Sequence, residues 1–310
     1  MKILIVDLLF IENGSLGDDS RAIVGFLSEN DCTYLRLENG HEAKNLLRLY
    51  LKSTLQKYDH IIILSAKIIQ LLFLIPLSLY NRMSFIYHFT PAHRVRFHKC
   101  SLKILKHFFK IGTYSQGVKE FLEVLLKKEV QLLPSREIDL EKSIELLRDK
   151  LSNKHISILV PGIRPGVRNF PDLKEALNKI YSCLDIIIDE ISIQGNKGPL
   201  SENYVDATFL SALSNEDYGR LYKKSLFVIV DFHESYEVRA SGILLDAMQF
   251  GCIVISNDHQ ISKQYGFPDS FIKSIESIKN IRDLNIANIS NIYPYWSLNM
   301  AKKSWNKFLL

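Results

Sequence analysis

Two rounds of strand–helix alternation, joined by a charged connector, constrain this chain more than anything else in it. The first round opens on the apolar stretch Lys2–Asp7, then a polar loop through Glu12, Gly14, Gly17, Asp18 and Asp19. A helical pattern over Arg21–Glu29 leads to a strand over Cys32–Leu37, a helix over Ala43–Leu55 and strands at His60–Leu64 and Ser84–His88. The round closes on a strand ending at Ser115 and a helix over Gly117–Lys127. After a connector at 134–154, the pattern restarts with the apolar strand Ile156–Val160, the helix Asp172–Tyr181 and a strand over Leu184–Ser192. A helix over Glu216–Lys223 and the buried strand Leu226–Asp231 follow. Such alternation predicts mostly parallel sheets with helices on both faces. The expected class is α/β, with two Rossmann-like doubly wound domains at 1–136 and 137–290 facing a central cleft. Ligands of such domains sit at the carboxyl ends of the strands. Residues 291–310 end in an amphipathic pattern from Trp296, read as a helix packing back toward the first domain.

The 310 residues suit two such domains better than one core. At 47% hydrophobic and 24% charged, the composition is that of a soluble globular protein. The longest apolar run, Ile68 to Tyr80, contains Gln70, Pro76 and Ser78 and is too short to span a bilayer. Lys2–Asp7 reads as a strand and not as a signal peptide, so the expected location is cytoplasmic. Cys32, Cys100, Cys183 and Cys252 are scattered, without CxxC pairs or histidine spacing, which excludes a zinc motif and a disulfide framework.

Charge is uneven. Residues 1–150 hold 22 Lys+Arg against 17 Asp+Glu, while 151–310 hold 17 of each. From Lys67 to Lys119 there are nine basic residues and no acidic one. In Arg94–Lys110, a helix would place Lys99, Lys103, Lys106 and Lys110 on one face, opposite Leu102, Leu105 and Phe109. That is either an ordinary solvated face or a surface for anionic lipid headgroups, with the protein peripheral on the inner face of the cytoplasmic membrane. No nucleic-acid-binding motif accompanies the patch.

The stretch Tyr236–Ile255 carries the most chemistry. It reads as a polar loop, a small-residue turn at Ser241-Gly242, a short apolar helix, a stop at Gly251 and a buried strand. The helix start offers backbone N–H groups and a dipole to an anion such as a diphosphate. Asp246, one turn on, can accept hydrogen bonds from hydroxyls of whatever carries that phosphate.

In order along the chain, these segments resemble GT-B fold glycosyltransferases, most closely family 4 (group 1). Tyr236–Ile255 is similar to the family's donor-site signature. Leu159–Asn169 resembles the strand and basic loop that open its C-terminal domain, and Leu213–Tyr218 the segment bordering the nucleotide base. Ile86–His88 and Thr113–Lys119 resemble strand ends of its acceptor domain. The resemblance implies that Asp246 grips the ribose and that Ser241 and Gly242 meet the diphosphate. It implies that Arg164 and Arg168, with Arg239 beside them, offset charge on the leaving diphosphate. Glu237 and His88 become the catalytic candidates, touching the donor sugar, although one more residue separates Glu237 from Asp246 than the family pattern has. Asp18 and Asp19 are acceptor-side candidates, able to serve with His88 as a base if the reaction inverts.

No DxD pair stands at a metal-binding place, so no metal and no other cofactor is expected. The expected activity is transfer from a nucleotide-diphosphate sugar to a hydroxyl of a lipid-linked or polysaccharide acceptor, retaining configuration, in bacterial cell-surface glycan synthesis. Two alternatives share the fold: a nucleotide-sugar 2-epimerase and a non-catalytic nucleotide-sugar-binding subunit.

Overall fold

The computed structural model describes residues 1–10, 15–38, 41–88, 95–162, 168–169, 171–195, 207–211, 213–232, 241–256, 272–274 and 297–310. They divide into two units, one built on Met1–Glu137 with the C-terminal helix and one beginning at Ile138.

The first unit runs β1 (Lys2–Phe10), α1 (Ser15–Phe26), β2 (Asp31–Glu38), α2 (Glu42–Leu55) and β3 (His60–Ser65). It continues with α3 (Ile68–Phe73), α4 (Ile75–Ser78), β4 (Arg82–Ile86), α5 (Val95–Leu105), β5 (Lys110–Thr113), α6 (Gln116–Leu126) and β6 (Gln131–Leu132). Its strands are parallel in the order β2-β1-β3-β4-β5-β6, so the order reverses between β1 and β3. All six residues of β3 are buried, as a strand covered on both faces requires. Alternate side chains feed two cores: Leu4, Val6 and Leu8 pack with α2 to α6, while Ile3 and Ile5 pack with α1.

The second unit runs α7 (Leu140–Ser152), β7 (His155–Val160), β8 (Arg168–Asn169), α8 (Leu173–Cys183), β9 (Ile187–Gln194) and β10 (Ala207–Leu210). Then come α9 (Asn215–Lys224), β11 (Ser225–Phe232), α10 (Gly242–Gln249), β12 (Ile253–Ser256) and β13 (Ile272–Ser274). The order is β10-β9-β7-β11-β12-β13, all parallel, with β8 added antiparallel to β11. Here the order reverses between β7 and β11. The final helix α11 (Leu298–Leu309) returns to the first unit, where Ala301, Trp305, Phe308 and Leu309 complete the core around Ile3, Ile62 and Ile86.

Several sequence expectations change. The loop through Asp18 and Asp19 is helical from Ser15 onward. The connector at 134–154 holds α7, capped by Asp139 accepting from the Lys142 amide, with only Ser143, Ile144 and Leu147 buried. The basic helix is shorter than read: α5 ends at Leu105, and Lys110 begins β5, so Lys110 does not share a helix face with Lys99 and Lys103. Leu102, Leu105 and Phe109 are buried. Arg94 lies outside the described residues.

Candidate functional site

The carboxyl edge of the second sheet gathers four of the sequence-predicted residues: Arg168, Ser241, Gly242 and Asp246. β7 leads through Val160 and the buried Pro161 into Gly162, which has φ +53°. Only glycine adopts that conformation without strain. Arg168, in β8, donates from Nε to the Gly162 carbonyl at 2.7 Å, and β8 pairs with Asp231 and Phe232 at the end of β11. The guanidinium is therefore held at the point where the strand order reverses, where doubly wound sheets bind ligands.

Helix α10 starts from the chain leaving β11, so its amino end faces this same edge. Ser241 precedes it in extended conformation, 2% exposed, and makes no side-chain cap to the helix. The first-turn N–H groups beginning at Gly242 have no intrahelical acceptors, which is the property an anion site needs. Ile243, Leu244, Leu245, Ala247 and Met248 are buried, fixing the helix on the sheet, while Asp246 remains partly exposed. Gly251 ends it at φ +62°, and a Cβ there would stand 2.6 Å from the Ser143 carbonyl of α7. Arg164, Arg239 and Glu237 lie outside the described residues.

In the first unit, the carboxyl edge carries His88, just past β4. Its Nε2 meets the Leu64 carbonyl at 2.5 Å and its ring stands edge-on to Tyr114 at 4.7 Å. A carbonyl only accepts, so Nε2 carries a proton and donates to it. Asp18 and Asp19 sit in α1, which follows β1 at this edge. Among the described residues no group of three His, Cys, Asp or Glu side chains could hold a metal ion.

No family model matches the chain, and no curated protein does. Solved structures do. A glycosyltransferase from Rickettsia africae aligns over 99% of this chain and 94% of its own, at 13% identity and TM-score 0.59. Anabaena HepE, solved with UDP, aligns over 99% and 94% at 13% identity and TM-score 0.54. A UDP-N-acetylglucosamine 2-epimerase from Rickettsia bellii aligns over 100% and 96% at 12% identity and TM-score 0.55. The chain has the GT-B fold.

Three features of this GT-B chain escaped the sequence reading. Asp7 is 1% exposed within β1, where the register against β3 shifts between Val6 and Asp7. Its Oδ1 accepts from the Ser65 hydroxyl and from the Leu9 amide, and burial raises its pKa above the usual carboxylate value despite those bonds. It stands at the β1–β3 reversal of the first sheet. Lys150, on α7, donates to the carbonyls of Tyr222, Ser225 and Phe250 at 2.9, 2.8 and 2.7 Å and contacts Cys252 Sγ at 3.3 Å. It thus places one cation against the carboxyl ends of both α9 and α10. Beside it, Tyr222 is fully buried, hydrogen-bonds Tyr218 at 2.9 Å and packs near Phe250, giving α10 an aromatic flank from α9. An acid inside an apolar strand and an i, i+4 tyrosine pair were the available signals; nothing in the sequence singles out Lys150 among the lysines.

Proposed function

We propose that this chain is a glycosyltransferase that moves a sugar from a nucleotide-diphosphate sugar to a hydroxyl of a lipid-linked or polysaccharide acceptor. The observation that carries this reading is the joint placement of Arg168 and the amino end of α10 at the strand-order reversal of the second sheet. A fixed guanidinium and free helix N–H groups are what a departing diphosphate needs. Asp246 is the ribose ligand, with Ser241 and Gly242 lining the phosphates and Arg164 and Arg239 adding charge. These groups take the place of a cation, so transfer is metal-independent, and it retains configuration. His88 and Glu237 contact the donor sugar, and Asp18 and Asp19 belong to the acceptor side. HepE has been solved with UDP and with UDP-glucose, which supports a uridine donor for this chain as well. The setting is cytoplasmic synthesis of a bacterial cell-surface glycan, with the basic helix α5 turned toward an anionic membrane.

The deciding experiment incubates the full chain with radiolabelled UDP-, GDP- and dTDP-sugars, with and without lipid-linked acceptors, in the presence and absence of EDTA. Nucleotide release that depends on acceptor and survives EDTA is the expected result. A second reading, nucleotide-sugar 2-epimerisation, is favoured by the shared fold of the Rickettsia bellii epimerase. It predicts sugar isomerisation without acceptor in the same tubes. No turnover with any donor would leave a binding subunit.

A further inference from the structure

The amino edge of the first sheet holds a cavity lined by cations. Strands β3, β4 and β5 begin at His60, Arg82 and Lys110. Their parallel register seats His60 beside Arg82, and Ser84 beside Lys110. Helix α11 ends at the same edge and brings Leu309 to the cavity wall. The cavity measures about 430 Å³, within the range that takes a small ligand. His60, Arg82 and Lys110 line it together with the apolar Met83, Phe108 and Leu309, and no lining residue is acidic.

The polar groups here are under-used. Lys110 Nζ meets the Lys307 carbonyl at 3.5 Å and stands 5.7 Å from the centre of the Phe308 ring. Burial lowers its pKa, as do Lys128 and Lys307, against an opposing pull from Glu129. His60 is 3% exposed, its Nε2 lies 2.9 Å from the Ser84 hydroxyl, and its buried Nδ1 makes no hydrogen bond. The nearby Leu309 backbone favours the protonated ring, but burial, Lys110 and Arg82 outweigh it and hold the pKa at about 4. The ring is therefore neutral at pH 7. With Ser84 donating to Nε2, Nδ1 carries the proton and is a buried donor without an acceptor.

We propose that this cavity binds a small phosphorylated molecule, its phosphate held by Arg82, Lys110 and the His60 Nδ1–H and its apolar part by Met83, Phe108 and Leu309. A guanidinium fork, a point charge and a neutral N–H donor together match the several oxygens of one phosphate. The bound anion would also relieve the repulsion between the two cations and supply the acceptor that Nδ1 lacks. Because the strands are parallel, the cavity lies at the opposite edge of the sheet from His88, which follows β4. The ligand is therefore held apart from the residues assigned to sugar transfer.

The test is NMR of the full chain with isotope-labelled histidine in phosphate-free buffer, the His60 ring being the signal that His60→Gln removes. Phenyl phosphate should shift that signal to saturation. Inorganic phosphate should do so only at about tenfold higher concentration, because it leaves the apolar wall unfilled. Phenol, which lacks the anion, should leave the signal in place. The combined variant Arg82→Gln and Lys110→Gln should bind phenyl phosphate about tenfold more weakly or worse, with the circular dichroism of wild type. No shift with either anion, an equal response to phenol, equal affinity for the two anions, or equal affinity in the combined variant would overturn the proposal. Arg168→Ala should leave the His60 titration unchanged, so this site and the donor-site reading stand or fall separately.

Discussion

Arg168 and Gly162 determine each other's position. The Arg168 Nε donates to the Gly162 carbonyl at 2.7 Å, and a Cβ placed on Gly162 would stand 2.9 Å from the guanidinium. The glycine therefore serves twice: it allows φ +53° and it leaves room for the cation that its own carbonyl holds.

Removing the cation with Arg168→Ala should lower kcat for sugar transfer by about tenfold to a hundredfold, the range for one lost charge-stabilising group. Gly162→Ala should displace the guanidinium and lower kcat in the same direction. Because both act through one contact, the double variant should be less impaired than the product of the singles. Steady-state rates of the three proteins check this.

Asp246→Ala removes a carboxylate acceptor from the outer side of α10 while its buried neighbours stay in place. Nucleotide affinity should fall by about 1–3 kcal/mol, the cost of a lost charged hydrogen bond. Isothermal calorimetry with the nucleoside diphosphate measures it, and unchanged affinity would remove Asp246 from the ribose site.

Lys150→Met should leave the Tyr222, Ser225 and Phe250 carbonyls without their shared donor. Burial lowers the pKa of this ammonium, because the charged form gives up its hydration there. The expected loss is about 2–4 kcal/mol of unfolding free energy, read from urea midpoints. A protein as stable as wild type would mean that the carbonyls find other donors.

His60, 3% exposed at the start of β3, has its pKa lowered to about 4, first by burial and then by the nearby Lys110 and Arg82. Its folded pKa lies below the unfolded value of 6.5, so the unfolded chain binds the proton first. The contribution is whole above pH 6.5 and is lost as pH falls toward about 4, by up to about 3 kcal/mol. Stability curves of wild type and His60→Gln should converge through that window, and parallel curves would refute the assignment.

Asp7 has the opposite sign. Burial raises its pKa, so its ionised form strains the native state at neutral pH, and that strain fades as pH falls toward the unfolded value of 3.8. Asp7→Asn should therefore melt at or above the wild-type temperature at pH 8, with the gap closing in acid. If the carboxylate serves the β1–β3 reversal as a ligand group, the same variant loses transferase activity while gaining stability. A destabilised Asp7→Asn protein at pH 8 would show that the acid is only a fastener for Ser65 and Leu9.

The sequence made the parallel strands legible because Ile61, Ile62 and Ile63, or Phe227 through Val230, are buried on both faces and so read as continuous apolar runs. Helix α10 was legible from its apolar run, with Gly242 and Gly251 marking its ends. α7 was hidden because its charged residues outnumber the buried Ile144 and Leu147. The first turn of α1 was hidden because glycines and paired aspartates look like a loop. Asp7 and Lys150 were illegible for another reason: their meaning depends on partners at Ser65 and at Tyr222, Ser225 and Phe250, far away in the chain.

The place of α11 in the first unit has a consequence for biosynthesis. Trp305, fully buried, donates from its indole nitrogen to the Pro134 carbonyl at 2.9 Å, and Phe308 closes over Gly112. A ribosome makes residues 1–137 long before these two side chains exist. The nascent first unit must therefore wait with the part of that sheet face beyond α1 uncovered while the whole second unit is translated. In that interval Ile62 and Ile86 lack the cover of Trp305 and Phe308, and there a chaperone, or a neighbouring nascent chain, can act.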